Sequence, residues 1–370
     1  MTAIRVPSAL GLTIRSVTTR AVSVPLDFVL GTSAAEVRAV PLLLVDLVTA
    51  EGPVGRAYHF AYTPSGARAV SGHIAEAIGI VKGQPASPIA VASLLARRYD
   101  LLGVTGTVRM ALSTIDMALW DALATALGQP LARVLGGAPR PVAAYDSRGL
   151  GLMAPERLAD EAAALAATGL KAMKLRLGHP SLAADLAALH AVRRALPEGI
   201  AIMIDYNQAL TPAEALLRGR ALAAEGVAWL EEPIRHDDHR GNARLARALD
   251  VPVQIGENFN GPQDMIAAIE AGACDHVMPD VGRIGGVTGW VHAAGIAAAR
   301  GLEMSSHLMP EISAQLLCAT PTAHWLEYVD WADQILAEPL RIVQGMVVTP
   351  TGPGSGIAWD EDKIARLEAL

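Results

Sequence analysis

The stretch from Lys174 to Glu257 decides the fold of this chain. It contains four short motifs, K-L-R at 174–176, I-D-Y-N at 204–207, W-L-E-E-P at 229–233 and Q-I-G-E at 254–257. Within them Asp205, Glu231 and Glu257 each close a short apolar run, and 26 residues separate each from the next. That interval accommodates a strand, a helix and two loops, so the three carboxylates should lie at the same end of three successive parallel strands. Carboxylate oxygens are preferred ligands of Mg²⁺, and the spacing therefore predicts a metal site.

The same alternation of strand-like and helical patterns continues through most of the chain. Eight apolar runs end near a polar side chain, at Ser147, Arg176, Asp205, Glu231, Glu257, Asp280, His307 and Glu327. Eight strands with seven intervening helices indicate the α/β class and a (β/α)7β modified TIM barrel. A doubly wound open sheet would place its ligand at one crevice, whereas a barrel directs all its strand ends towards one mouth. The barrel is therefore the favoured prediction.

The chain before and after the barrel has a different pattern. Residues 1–135 combine three strand-like runs with helical periodicity from residue 65 onwards, which predicts an α+β domain. The segment 27–37 between the first two runs predicts a loop of the length of a binding element or lid. The barrel should then occupy residues 136–344. Residues 345–370 contain no ninth strand–helix unit and are expected to return to the first domain.

The composition restricts the partners of the protein. The 370 residues include 52% apolar residues and carry a net charge of −7, with no cluster of Lys and Arg that would bind nucleic acid. We find neither a signal peptide nor an apolar run long enough to span a membrane. Cys274 and Cys318 lack metal-ligand spacing and are expected to be free thiols, which favours a cytoplasmic location. A small anionic substrate remains compatible with the charge, because a bound cation inverts the local field.

Polar residues at the other strand ends indicate acid–base chemistry beside the metal site. A single histidine is most often structural, but Asp280 on the strand next to His307 would hold Nδ1–H and leave Nε2 free as a base. Lys174 and Arg176 share one face of a strand with apolar neighbours, which favours a polar barrel mouth over a solvated surface. Glu327 is interpreted either as a helix cap or as an acid that donates to a substrate oxyanion.

The ordered motifs resemble those of a known family. K-x-R, D-Y-N, E-E-P, G-E-N, P-D-x-x-R-I-G-G, S-S-H and H-W-L-E together are similar to the enolase superfamily, mandelate racemase subgroup, over essentially the whole chain. The resemblance implies that the α+β domain caps a (β/α)7β barrel, that Mg²⁺ is the cofactor and that the protein is a homo-oligomer, a dimer or an octamer.

The resemblance also implies a role for each candidate site residue. Asp205, Glu231 and Glu257 would bind Mg²⁺, and Asp280 and His307 would form the base dyad. Glu327, protonated, would donate to a developing enediolate. The substrate would be held by Lys174 and Ser147 at its carboxylate and by Asn207 at its 2-hydroxyl, and it would be covered by Leu30, Val37, Phe60 and Tyr62.

Arg176 is the departure from the family pattern that bears on the reaction. Racemases of this subgroup carry a second lysine at this position, because racemisation uses a base on each face of a planar intermediate. A guanidinium is far harder to deprotonate than an ammonium, so Arg176 is doubtful as a base, although it suits a bidentate contact with a carboxylate.

Three functional hypotheses follow. Racemisation or epimerisation of a 2-hydroxy acid is the leading prediction, favoured by the chain-wide similarity and by the apolar lid residues, and the other two are alternatives to it. Elimination of water from an acid sugar, with His307 as the sole base, is favoured by Arg176. A metal-binding scaffold without turnover is disfavoured, because Lys174, Asp280, His307 and Glu327 are all present.

Overall fold

The computed structural model describes residues 11–33 and 35–370, and it begins with an antiparallel sheet. Its first three strands are β1 (Ile14–Gly31), β2 (Glu36–Thr49) and β3 (Val54–Phe60). Four helices follow, α1 (Pro64–Val81), α2 (Pro88–Arg98), α3 (Gly106–Ala126) and α4 (Leu131–Val134). The hydroxyl of Thr63 accepts a hydrogen bond from the Gly66 N–H and Pro64 occupies the first turn, so α1 begins where the sequence favours a helix start.

The segment 27–37, predicted to be a loop, is instead the end of a β-hairpin. β1 continues to Gly31 and β2 starts at Glu36, with Leu30 paired to Val37. The register shifts between Pro25 and Leu30, which marks a bulge, and the ladder resumes beyond it. The loop prediction was wrong because the first strand was taken to end before residue 27, whereas the bulge allows it to continue to Gly31. The lid of the sequence analysis is therefore a hairpin, which we call the lid hairpin (Leu26–Arg38).

Eight parallel strands form the barrel. They are β4 (Pro141–Asp146), β5 (Ala172–Arg176), β6 (Ala201–Asp205), β7 (Leu230–Glu231), β8 (Val253–Ile255), β9 (His276–Val277), β10 (Glu303–Met304) and β11 (Leu326–Tyr328). The helices between them are α5 (Pro155–Ala166), α6 (Leu182–Ala195), α7 (Pro212–Ala224), α8 (His239–Ala248), α9 (Pro262–Ala271), α10 (Val281–Ile284), α11 (Gly286–Arg300) and α12 (Pro310–Leu317).

The barrel closes as the (β/α)7β pattern predicts, since every gap between strands holds a helix and β11 is followed by a β-hairpin rather than by a barrel helix. β4 to β10 pair in chain order, and β11 returns to pair with β4. Between β10 and β11 the pairing is a bridge from Met304 to Ala323 rather than a ladder. Backbone hydrogen bonds from Met304 to Thr322, from His324 to Met304 and from Ser306 to Trp325 also join the two segments.

The last segment connects the two parts of the molecule. β12 (Arg341–Val343) and β13 (Met346–Val348) form a hairpin, and β13 pairs antiparallel with β4. After α13 (Glu361–Ile364), β14 (Glu368–Ala369) pairs with β1 in the capping sheet. The boundaries at residues 135 and 344 stay a prediction. Within the described ranges, no helix is long and apolar enough to cross a membrane.

The capping domain is fixed to the barrel by buried polar contacts. Asp116 on α3 accepts hydrogen bonds from the N–H and the hydroxyl of Thr288 on α11, at 2.8 and 2.6 Å. Gly286 permits this approach, because a Cβ there would lie 2.5 Å from the Asp116 carboxylate. Tyr58 on β3 donates to the buried carboxylate of Glu311 on α12. β3 and α3 therefore hold the cap over the carboxyl-terminal end of the barrel strands, which we call the mouth.

Candidate active site

Three carboxylates meet at the mouth, as the 26-residue spacing predicts. Asp205 and Glu231 are the last residues of β6 and β7, and Glu257 lies two residues beyond β8. One oxygen from each lies within 4.8 Å of the others. We call these residues the carboxylate triad. Asp205 and Glu231 are buried, so their charge has little access to solvent.

Lys174 neutralises part of this charge. Its Nζ lies 2.7 Å from Glu231, 3.3 Å from Asp205 and 2.6 Å from Glu327. Burial opposes the positive charge of this side chain, but the neighbouring carboxylates outweigh burial and raise the pKa of Lys174 above its usual range. The ammonium is therefore a fixed cation between the triad and Glu327.

His307 and Asp280 form a hydrogen-bonded pair on the opposite side of Glu327. Nδ1 of His307 lies 2.7 Å from Asp280, while Nε2 lies 3.3 Å from Glu257 and 3.9 Å from Glu327. Asp280 also accepts a hydrogen bond from the Gly282 N–H as the cap of α10, which fixes its orientation. Burial disfavours the imidazolium, but Glu257, Glu327 and Asp280 together raise the pKa of His307 to about 9. The pair has the orientation expected of a base dyad.

The side chains around Glu327 favour its ionised form, whereas the sequence analysis expects a protonated acid. Its carboxylate accepts hydrogen bonds from the Ser147 hydroxyl at 2.7 Å and the Leu308 N–H at 2.8 Å. Although burial opposes its charge, Lys174, His307 and these donors lower the pKa of Glu327 to about 2. A donor role for Glu327 requires a change in this environment, such as the arrival of a substrate carboxylate.

Arg176 lies beside the site but is bound to the protein itself. Its guanidinium donates to the carbonyl of Gly149 at 2.9 Å, the carbonyl of Ser147 at 3.3 Å and the Ser147 hydroxyl at 3.0 Å. Ser147 in turn donates to Glu327. The side chain thus orients the loop after β4 and is not directed at the triad.

Asn207 and the lid hairpin meet above β6. The Asn207 side-chain N–H₂ donates to Asp205 at 2.9 Å, and its Oδ1 is buried without a hydrogen-bond partner. Ser33, at the tip of the lid hairpin, donates to the Asn207 carbonyl at 3.0 Å. The structure therefore places a free acceptor next to the triad and the tip of the lid beside it.

The remaining lid residues line the cap side. Leu30 is buried and pairs in the hairpin with the half-buried Val37. The rings of Phe60 and Tyr62 lie 4.2 Å apart, and the Arg283 guanidinium lies 4.7 Å from the Tyr62 ring. Arg283 also donates to Asn258, the residue after Glu257, so Tyr62 is connected to the edge of the site.

The sequence analysis missed two residues near the triad. Glu232 is buried with a φ of 36° and accepts a hydrogen bond from Asn258 at 2.8 Å. Burial, then Glu257 and Asp205, raise the pKa of Glu232 well above its usual value. The second acid of the E-E-P motif was the available signal. His59 on β3, which the sequence marks only as a polar residue near the lid, is buried beside Gly282 with both ring nitrogens unpartnered.

The residues present fit a hard dication. The triad offers oxygen donors only, which is the donor set of Mg²⁺. Burial, together with repulsion from Asp205, Glu327 and Glu257, raises the pKa of Glu231 to about 8 even with Lys174 opposing it. The carboxylates therefore carry more negative charge than the surrounding side chains neutralise. A bound dication would neutralise this excess.

Comparisons with known proteins identify the two domains of the chain. Residues 14–136 match the model of the mandelate racemase/muconate lactonizing enzyme N-terminal domain, and residues 157–363 match the enolase C-terminal domain-like family. An enolase from the alpha proteobacterium BAL199, solved with bound Mg, is 42% identical with a TM-score of 0.95, covering 97% of this chain and 100% of that one. An enolase from Bradyrhizobium, complexed with magnesium and mandelic acid, is 39% identical with a TM-score of 0.92, covering 97% and 99%.

The curated relatives carry out related reactions. L-talarate/galactarate dehydratase of Salmonella typhimurium is 32% identical over 70% of this chain, and the match spans 66% of that enzyme's length. Fold and site together define a barrel enzyme of the isomerase or hydro-lyase type. The chain belongs to the mandelate racemase/muconate lactonizing enzyme family of the enolase superfamily.

Proposed function

We propose that this enzyme abstracts, with Mg²⁺, the proton on the carbon next to the carboxylate of a small 2-hydroxy acid. The observation that supports it most is the arrangement of His307 and Lys174 on opposite sides of Glu327, both beside the carboxylate triad. A proton next to a carboxylate is a very weak acid, so the dianionic enediolate needs cations close to it. Mg²⁺ at the triad would stabilise that charge. It would also neutralise Glu257, whose negative charge raises the pKa of His307 and so favours its protonated form.

Each side chain has a defined task in this scheme. His307 Nε2 accepts the proton from C2, and Asp280 stabilises the imidazolium through Nδ1. Lys174 holds the substrate carboxylate, and the free Oδ1 of Asn207 accepts a hydrogen bond from the 2-hydroxyl. The incoming carboxylate draws Lys174 away from Glu327, which raises the pKa of Glu327. Glu327 then takes up a proton from solvent and donates a hydrogen bond to the developing oxyanion.

We infer that elimination of water is the favoured outcome. Arg176 is bound to the loop after β4, which leaves His307 as the base. After His307 takes the C2 proton, the enediolate expels the 3-hydroxyl, which leaves with the proton from His307 as water. The resulting enol becomes a 2-keto-3-deoxy acid. The substrates of such an elimination are acid sugars with a 3-hydroxyl.

Racemisation is the second candidate. It is supported by the apolar side chains of Leu30, Val37 and Phe60 in the cap, which suit a substrate without further hydroxyls. The Bradyrhizobium relative was solved with mandelic acid, an acid of that kind. A homo-oligomer and a cytoplasmic location stay predictions.

Proton NMR in D₂O with Mg²⁺ and a panel of 2-hydroxy acids and acid sugars separates the outcomes. Loss of water to a 2-keto acid supports elimination, and deuterium incorporation at C2 with inversion supports racemisation. Absence of exchange with every member would contradict the proposal and favour a scaffold without turnover.

His307→Asn tests the base directly. We expect C2 exchange to fall by about 10²–10⁴-fold, because Asn cannot accept the proton. The affinity for Mg²⁺, measured by calorimetry, should change little, since His307 is not one of the triad. His292→Asn, at an exposed histidine, is the matched control. Exchange at the parental rate in the His307 variant would overturn the assignment.

A further inference from the structure

A second group of potential ligands lies at the other end of the barrel. His276 is the first residue of β9, Glu303 is the first residue of β10, and His324 lies two residues before β11. His276 and Glu303 are direct partners in the parallel ladder, and the His324 N–H donates to Met304. All three therefore sit in one layer at the amino-terminal end of the strands, away from the carboxylate triad.

The spacing of the donor atoms fits a tetrahedral metal. Glu303 Oε2 lies 3.3 Å from His324 Nε2 and 3.5 Å from His276 Nδ1. Two donors bound at roughly 2.0–2.1 Å to a tetrahedral Zn²⁺ are separated by about 3.4 Å. One donor atom from each of the three residues lies within 4.8 Å of the others. One ion can thus reach all three side chains with small adjustments.

The two imidazoles are held in place with their donor atoms directed at Glu303. His276 Nδ1 is buried and has no hydrogen-bond partner. His324 Nδ1 lies 3.4 Å from the Ser305 hydroxyl, which leaves Nε2 for the carboxylate. A hydrogen bond at the second ring nitrogen, such as this one to Ser305, is typical of metal-binding histidines. The ring of His324 also packs 5.8 Å from that of Trp229.

We propose that His276, Glu303 and His324 bind a transition-metal ion of the Zn²⁺ class. Two imidazoles and one carboxylate suit Zn²⁺ better than Mg²⁺, which prefers oxygen ligands and keeps water. Three protein ligands leave a fourth position for water, and the partly exposed Glu303 provides access from solvent.

The site would join three neighbouring segments of the barrel. β10 and the segment before β11 share the bridge between Met304 and Ala323, and the proposed ligands flank it. An ion that joins β9, β10 and the segment before β11 would oppose separation of these strands. Because it binds only the folded arrangement, it should raise the unfolding temperature. This role is independent of the reaction at the mouth.

The test is a titration of the full-length protein with Zn²⁺ in excess Mg²⁺, which occupies the triad. We expect one equivalent of Zn²⁺ by equilibrium dialysis, a higher unfolding temperature, and intense visible absorption when Co²⁺ replaces Zn²⁺. Glu303→Gln should weaken Zn²⁺ binding at least tenfold and remove the thermal shift. Since Glu303 is largely exposed, this variant should fold normally.

Two controls make the result unambiguous. His190→Asn breaks a surface His–Glu pair of similar spacing, 3.0 Å to Glu225, and should leave the titration unchanged. Glu257→Gln alters only the triad and should also retain the equivalent of Zn²⁺. The proposal is overturned if Zn²⁺ binding is absent in Mg²⁺, is lost in Glu257→Gln, or persists at parental affinity in Glu303→Gln. Failure here would leave the D₂O exchange at the mouth unaffected.

Discussion

At the scale of single residues, Arg176 and Ser147 determine how Glu327 is presented. The guanidinium makes three hydrogen bonds to Ser147 and Gly149, and the Ser147 hydroxyl donates a hydrogen bond to Glu327. A planar fork satisfies several acceptors at once, whereas an ammonium is a compact point charge. Arg176 therefore holds the loop after β4 through hydrogen bonds, and the site has no lysine at this position that could act as a second base.

Arg176→Lys tests this interpretation. We expect the free energy of unfolding to fall by about 1.5–3 kcal/mol, because buried acceptors lose a charged donor. Turnover should also fall, since Ser147 no longer orients Glu327. Urea denaturation and the D₂O assay measure both effects, with the exposed Arg193→Lys as control. A gain of inversion at C2 would instead show that Arg176 had been suppressing a racemase.

At the scale of elements, the lid hairpin is held against the loop after β4 by backbone contact. The Leu152 N–H donates to the Gly31 carbonyl at 2.9 Å. Neither Gly31 nor Gly151 has room for a side chain, because a Cβ on Gly151 would lie 2.4 Å from the Gly31 N. The two glycines, together with the bond from Ser33 to Asn207, define the closed position of the hairpin.

Gly151→Ala should displace the lid hairpin. We expect a higher KM, because the hairpin tip leaves Asn207, and faster trypsin cleavage after the exposed Arg38 at its base. Gly79→Ala is the matched control, since it lies in α1 with open space around it. Equal cleavage rates in Gly151→Ala and the parent would show that the hairpin does not depend on this contact.

At the scale of the whole molecule, cap and barrel share a buried carboxylate. Burial raises the pKa of Asp116 to about 7, while its hydrogen bonds from Thr288 oppose the shift. The folded protein therefore holds a proton that the unfolded chain releases above about pH 4. The contribution of Asp116 to the free energy of unfolding therefore falls as the pH rises from about 4 to 7, and it is constant above pH 7.

Asp116→Asn should remove this pH dependence. The amide of Asn keeps an acceptor for Thr288 but carries no charge at either pH. Between pH 5 and pH 8 the free energy of unfolding of the variant should therefore rise relative to that of the parent, by on the order of 1–4 kcal/mol. Urea midpoints at the two pH values measure it. Asp100→Asn, at an exposed aspartate, provides the comparison. A constant difference between variant and parent would contradict the sign argued above.

The sequence predicted the barrel and the triad because each depends on local patterns. Asp205, Glu231 and Glu257 end apolar runs at a fixed interval, and parallel strands bring such ends together. Local sequence patterns do not predict which partner each side chain contacts. Arg176 shares a strand face with Lys174, yet its partners come from a loop whose path is set by Leu150, at a φ of 52°. The backbone of Glu232 is likewise in a left-handed conformation that no propensity indicates.

The pairing of β14 with β1 has a consequence for biosynthesis. Val22 of β1 pairs with Ala369 of β14. The ribosome therefore synthesises these two neighbouring strands of the capping sheet at very different times. While the ribosome translates the barrel, the outer edge of β1 near Val22 exposes unpaired N–H and C=O groups, a template for pairing with other nascent chains. The cap of this enzyme is therefore completed only after its barrel has been translated, and holdase chaperones would act mainly in that interval.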